Sequence, residues 1–173
     1  MSPGITEVPV DGDGDEIPRD PDRLGSLAEL VLEEFPLAAF MQVEPLTWTE
    51  AGLELRTPAG PNLNAHGTMF GGGIAALALL TGWGWVRLEL EARGIHAEVV
   101  VQDARTHYER PIRGDCRARC LPPEPAELDR FLRTLRRRGK GRLAVRVQLR
   151  AEGDPEAPPA ALMEARFVAR VDD

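Results

Sequence analysis

The strongest signal along this chain is a stretch that is apolar on every side. It runs from Phe70 to about Arg93. Ile74, Leu77, Ala78, Thr81, Trp85 and Leu88 recur at helical spacing on one face, and Ala75, Leu79, Leu80, Trp83, Val86 and Leu90 form much of the opposite face. A helix patterned this way is normally enclosed by other elements. Met69–Val86 carries no charge, but it barely reaches the roughly 20 residues of a membrane span. It also contains five glycines and is flanked by strand-like runs. A buried central helix is therefore expected, and no membrane association.

Elsewhere the period is two. Met41–Trp48 and Leu53–Thr57 read as strands joined by a turn at Thr49–Gly52. Ala97–Glu109 is long and rich in Val. In Asp115–Leu121, Cys116, Ala118 and Cys120 alternate with charged residues, and Leu143–Ala151 and Met163–Val171 alternate in the same way. Such alternation marks strands with one dry face and one wet face. Two shorter helices complete the set. One is expected from an N-cap at Ser26 to Phe35, and the other from Pro125 to a stop at Gly139. About six half-buried strands and one helix apolar all round give an α+β architecture: a curved antiparallel sheet wrapped around the central helix.

Composition alters this picture at the N-terminus. Residues 1–23 are dominated by Asp, Gly and Pro, which predicts a disordered acidic tail ahead of a single domain over 24–173. Asp11, Asp13 and Asp15 echo the start of a calcium loop, but Glu16 stands where that loop needs Gly, and Asp22 where it needs Glu. These residues also lack the apolar core of a secretion signal, so a cytoplasmic protein is the default expectation. A net charge of −7 argues against a nucleic-acid partner, which requires a dense basic surface. The two cysteines, Cys116 and Cys120, fall on one strand face and read as buried free thiols. With three histidines not spaced to help, no metal site and no redox cofactor are implied.

Several motifs together resemble one family. Pro61-Asn62-Leu63-Asn64, then Gly67-Thr68-Met69-Phe70-Gly71-Gly72, then Gly82-Trp83 are similar to the thioesterase domain often found C-terminal to an acetyltransferase domain. Asp103, Tyr108, Arg110-Pro111 and Gly114-Asp115 resemble the same family's strand after the helix, and the likeness runs from about Leu30 to the C-terminus. The resemblance implies a hotdog fold, a homodimer with a tetramer as the further option, and acyl-thioester chemistry at the subunit interface near the start of the central helix. Related hotdog thioesterases often carry His-Gly-Gly at the helix start and a carboxylate along the helix. Here Phe70 occupies the first position, Ile74–Leu88 holds no acid, and Gly73 stands where the family often has Ser.

The candidate site residues follow from these motifs. Gly71, Gly72 and Gly73 open the helix, where free amides can hold an oxyanion; close helix–sheet packing is the alternative reason for glycine there. Phe70 lies in the same substrate-facing segment. Asn64 is expected to position a carbonyl or water, and Asn62 to bind substrate, against the alternative that both support turns. Thr68 is a substrate contact or a plain N-cap. Base function falls to Asp103 or to His66, the one His beside the motif. Parity tells against Asp103: if Val100, Ala104, Thr106 and Tyr108 face the helix, Asp103 and His107 face away. Tyr108 is expected in the core or an interface. The basic run Arg133 to Arg142 is either a solvated helix end or a grip for the phosphates of CoA.

The expectation is a homodimeric thioester hydrolase acting on an acyl-CoA or acyl-carrier-protein substrate. The alternatives are a non-catalytic acyl-CoA-binding module and a dehydratase.

Overall fold

The computed structural model describes residues 19–153 and 157–171. Two helices, α1 (Pro21–Glu34) and α2 (Pro36–Met41), lead into the hairpin β1 (Glu44–Thr49) and β2 (Gly52–Thr57). A 3₁₀ turn at Gly60–Asn62 precedes the central helix α3 (Gly71–Glu91). Then follow β3 (Ala97–Tyr108), β4 (Cys116–Leu121), α4 (Pro125–Arg138), β5 (Lys140–Ala151) and β6 (Ala161–Val171). The six strands form one antiparallel sheet in the order β1-β2-β4-β5-β6-β3.

The sheet curls around α3, which is the hotdog arrangement. The first apolar face of α3 (Ile74, Leu77, Ala78, Thr81, Trp85, Leu88) is fully buried. It meets the alternating inward residues of β2, β4, β5 and β6, among them Leu55, Cys120, Val145 and Phe167. Gly82 makes the close approach possible, since a Cβ there would lie 2.9 Å from the ring of Phe167 and 3.2 Å from Val145. The opposite face is covered unevenly. Val86 and Leu90 are buried, but Leu79, Leu80 and Trp83 are only partly so. They line an apolar groove of about 600 Å³ between α3 and the edge strand β3.

Several boundaries differ from the sequence reading: β5 starts at Lys140 rather than Leu143 and β6 at Ala161 rather than Met163, and three further differences lie near the N-terminus. The N-terminal helix starts at Pro21, not after Ser26, because Asp20 caps it by accepting from the Arg23 amide at 3.1 Å. Ser26 lies inside the helix and donates to the Asp22 carbonyl. Residues 19–23 thus belong to the folded unit; the remainder of the expected tail, including the calcium-like Asp11–Asp15, lies outside the described residues. Arg19 anchors this entry. Its guanidinium pairs with buried Glu89 of α3 and stacks 4.8 Å over Trp48, while its backbone amide donates to the Trp48 carbonyl. Finally, β1 begins at Glu44, because Pro36 restarts a helical turn that holds Met41.

β3 carries a bulge between Val101 and Asp103. Before it, Val99 and Val101 pair with the inward residues Ala169 and Phe167; after it, Ala104, Thr106 and Tyr108 pair with the inward Ala165, Met163 and Ala161. Val100 pairs with Val168 and faces outward, contrary to the expected parity, because the bulged Gln102 shifts the alternation by one.

The candidate active site

The site is built where β2, the 60–70 connection and the end of β3 converge on the start of α3. Leu63 and Met69 form an isolated antiparallel bridge, so residues 63–69 fold back on themselves as a tight loop with Gly67 at φ 70°. Asn64 organises that loop. Its Oδ1 accepts from the amides of His66 (2.8 Å) and Thr68 (3.3 Å), and its Nδ2 donates to Thr68 Oγ1 at 2.9 Å. One amide proton of Asn64 is left over from these contacts.

Asn62 is buried and serves as a junction. Its Nδ2 lies 3.0 Å from the Met41 carbonyl, 2.9 Å from Thr57 Oγ1 and 2.8 Å from the Pro58 carbonyl. Two carbonyl neighbours fix the amide orientation, because only the NH₂ end can face them. The backbone carbonyl of Asn62 accepts from the Phe70 amide at 2.8 Å, and its Oδ1 sits against Gly73. The donor capacity of Asn62 is therefore spent inside the fold, and its contribution is to hold α2, β2 and the helix start together.

Phe70 is the N-cap residue and makes no side-chain cap bond; Thr68, expected as a possible cap, bonds within its own loop instead. The first-turn amides of Gly71, Gly72 and Gly73 have no intrahelical partner and point out of the helix start. The ring of Phe70, itself 59% exposed, folds over Gly72, where a Cβ would lie 2.4 Å from a ring carbon. Tyr108, at the last position of β3, donates its hydroxyl to the Gly71 carbonyl at 2.9 Å. Of the two expected places for Tyr108, the core is excluded, since the residue is 53% exposed in the single subunit and braces the helix start. Nothing in the strand pattern separates a bracing tyrosine from a packing one; only its position at the strand end hinted at it.

Asp103 is not brought to this site. It lies on the outer face of the sheet, 3.5 Å from Arg166, on the side away from α3. His107 shares that outer face, opposite Leu162. His66 is exposed in the loop that leads to the helix. The cysteines are not nucleophiles: both are buried, desolvation pushes the Cys116 thiol up to about 12, and burial together with Glu89 raises Cys120 further. No helix among the described residues is long and apolar enough to cross a membrane.

Three glycines thus open a central helix that a six-stranded antiparallel sheet encloses. Residues 24–171 match the family described as Putative thioesterase (yiiD_Cterm), and the chain belongs to that family. Among solved structures, it is similar to a protein of unknown function from Chlorobaculum tepidum, with 26% identity, a TM-score of 0.80, and 86% of this chain and 94% of that one covered. It is also similar to a putative thioesterase from Shewanella oneidensis, with 28% identity, a TM-score of 0.77, and 88% and 100% covered. A thioesterase from Haemophilus influenzae shares the fold at 20% identity and a TM-score of 0.66, with 86% and 90% covered.

Proposed function

We propose that this protein is a homodimeric cytoplasmic thioesterase that hydrolyses an acyl-CoA or acyl-carrier-protein thioester. The observation that carries this reading is the start of α3: three successive glycines, no side-chain cap, and a brace from Tyr108 that fixes the first turn. Water adds to the thioester carbonyl and gives up a proton. The oxyanion that forms is held by the amides of Gly71–Gly73, where preorganised donors lower the barrier. Collapse breaks the C–S bond, and the departing thiolate takes up a proton. The free amide proton of Asn64 holds the carbonyl or the attacking water. His66, on the loop before the helix, is the base in this scheme. Asp103 takes no part from within its own subunit.

Dimerisation is supported by the two sheet edges, which differ. β1 is short, carries Pro45 and a bulge, and is thereby blunted. β3 is twelve residues long and, among the described residues, pairs only with β6, with Val100 and Val101 nearly half exposed beside the apolar groove. Two-fold pairing of β3 with its copy is antiparallel. It brings Glu98 near the start of one strand close to Arg105 near the end of the other, an opposite-charge match. The outer face carries ion pairs such as Arg146–Glu164 and Arg166–Asp103, which favours a dimer over a sheet-on-sheet tetramer.

A second reading, a non-catalytic acyl-binding module, draws on one observation: α3 has no acid before Glu89, and Asp103 faces outward. Thiol release from acyl-CoA thioesters of graded chain length, with sedimentation of wild type and Val101→Arg, tests both parts. Turnover by a dimer that Val101→Arg dissociates is expected. Binding without turnover supports the acyl-binding module, and a monomeric wild type removes the β3 interface.

A further inference from the structure

The chain is acidic overall at −7, yet residues 130–142 hold seven of its 21 Lys and Arg residues and no acid. All seven are exposed at the end of α4 and the beginning of β5. Arg130 meets Glu127 at 3.9 Å and Arg142 donates to Gln102, but Arg133, Arg136, Arg137, Arg138 and Lys140 make no ion pair among the described residues. Favourable interaction with the helix dipole accounts for cations in the last turn. Like charges at i,i+4 spacing, as in Arg133 and Arg137, repel one another, and an anionic ligand would relieve that repulsion.

Their place in the fold is the second observation. α4 seats Phe131 and Leu135 on Gly141, at the end of the sheet where α3 stops. Lys140 pairs with Arg170, which pairs with Glu98 near the start of β3, whereas Gly71 is braced by Tyr108 at the strand's far end. Within one subunit, the basic run and the helix start are separated by ten steps of β3, about 33 Å. Two-fold pairing of β3 about its bulged midpoint removes that separation. The second subunit's Glu98 then lies opposite His107, and its Lys140 stands three strand spacings from Tyr108, about 14 Å.

We infer that the basic run of one subunit binds the phosphate at the far end of the pantetheine arm whose thioester sits at the other subunit's helix start. The inference rests on the thioesterase reading and deepens it. Phosphate favours arginine forks, and a pantetheine arm spans a gap of that order. CoA and the prosthetic arm of a carrier protein share this phosphate.

The test is the triple variant Arg136→Ala, Arg137→Ala, Arg138→Ala, assayed on acyl-CoA, acyl-phosphopantetheine and acyl-pantetheine. The ratio of kcat/KM for phosphate-bearing over phosphate-free substrate is expected to fall about tenfold or more, the effect of losing charged hydrogen bonds. A loss shared by acyl-phosphopantetheine supports the assignment to the arm's own phosphate, whereas a loss confined to acyl-CoA overturns it in favour of the nucleotide phosphates. An unchanged ratio overturns the inference and leaves the thioesterase reading standing. Failure of wild type on all three substrates and on an acyl-carrier protein overturns both. Co-expression of the triple variant with Gly72→Val tests action between subunits. A heterodimer then has one site with an intact helix start and the partner's intact arginines, so acyl-CoA turnover recovers to about one quarter of wild type in the mixed population. No recovery overturns the assignment to the partner.

Discussion

Tyr108 and Gly71, 37 positions apart, are joined by a hydrogen bond of 2.9 Å from the phenol to the first carbonyl of the central helix. The bond fixes where the helix begins relative to the edge strand, and so where its open amides point.

Tyr108→Phe removes this brace and nothing from the core. Because the residue is exposed, the loss in stability should be about 1 kcal/mol or less. Turnover should fall about tenfold, since oxyanion donors act only when correctly aimed. The check is a kcat and melting measurement on the same preparation; unchanged kcat would show that the brace is dispensable.

Asp103→Asn should leave turnover within about twofold of wild type, as expected of a surface pair remote from the chemistry. Its carboxylate faces Arg166 on the outer side of the sheet. A loss of orders of magnitude in steady-state assays would place Asp103 in the site after all.

Glu89 is 2% exposed inside α3, held by Arg19 and, at 2.6 Å, by Arg93. Arg19→Ala leaves that buried carboxylate with one partner fewer and strips the cover from Trp48. A loss of about 1–3 kcal/mol is expected for a charged hydrogen bond, or roughly 3–10 °C in Tm for a domain of this size. Thermal unfolding of the variant checks this, and an unchanged Tm would mean that Arg19 does not anchor the entry to α1.

Burial raises the folded-state Cys116 thiol to about 12 and Cys120 also upward, while the unfolded chain titrates near the ordinary value of about 8.5. The stability tied to these neutral thiols is complete below that value. It is lost as pH rises from there towards the folded pKa, because only the unfolded chain releases the protons. Folded protein at pH 8 should resist a thiol reagent, with both cysteines reacting once denaturant is added; prompt reaction of the native protein would contradict their burial.

Much of the fold was legible because periodicity survives folding. The face of α3 running from Ile74 to Leu88 is buried as its spacing predicts, and the alternation in β5 and β6 reads directly as inside and outside. The misreadings share a local cause. The parity of Val100 fails because one bulged residue, Gln102, resets the alternation, and no residue type announces a bulge. The start of α1 was hidden because Asp20-Pro21 is at once a capping pair and part of an acidic, proline-rich segment. At the site, the sequence places Gly71–Gly73 at the helix start but does not separate Asn62, which joins three elements, from Asn64, which shapes a loop. That difference depends on backbone carbonyls brought close only by the fold.

The central claim is that the glycine amides at the start of α3 stabilise the oxyanion of a thioester. The most direct test is the rate of thiol release from an acyl-CoA series, acetyl to palmitoyl, for wild type and Gly72→Val. A side chain at Gly72 collides with the exposed ring of Phe70, which can swing into the approach to the helix start without disturbing the core. If these amides hold the oxyanion, wild type turns over and Gly72→Val loses that turnover at an unchanged melting temperature. Equal rates for the two proteins, or no thiol release by wild type at any chain length, would contradict it.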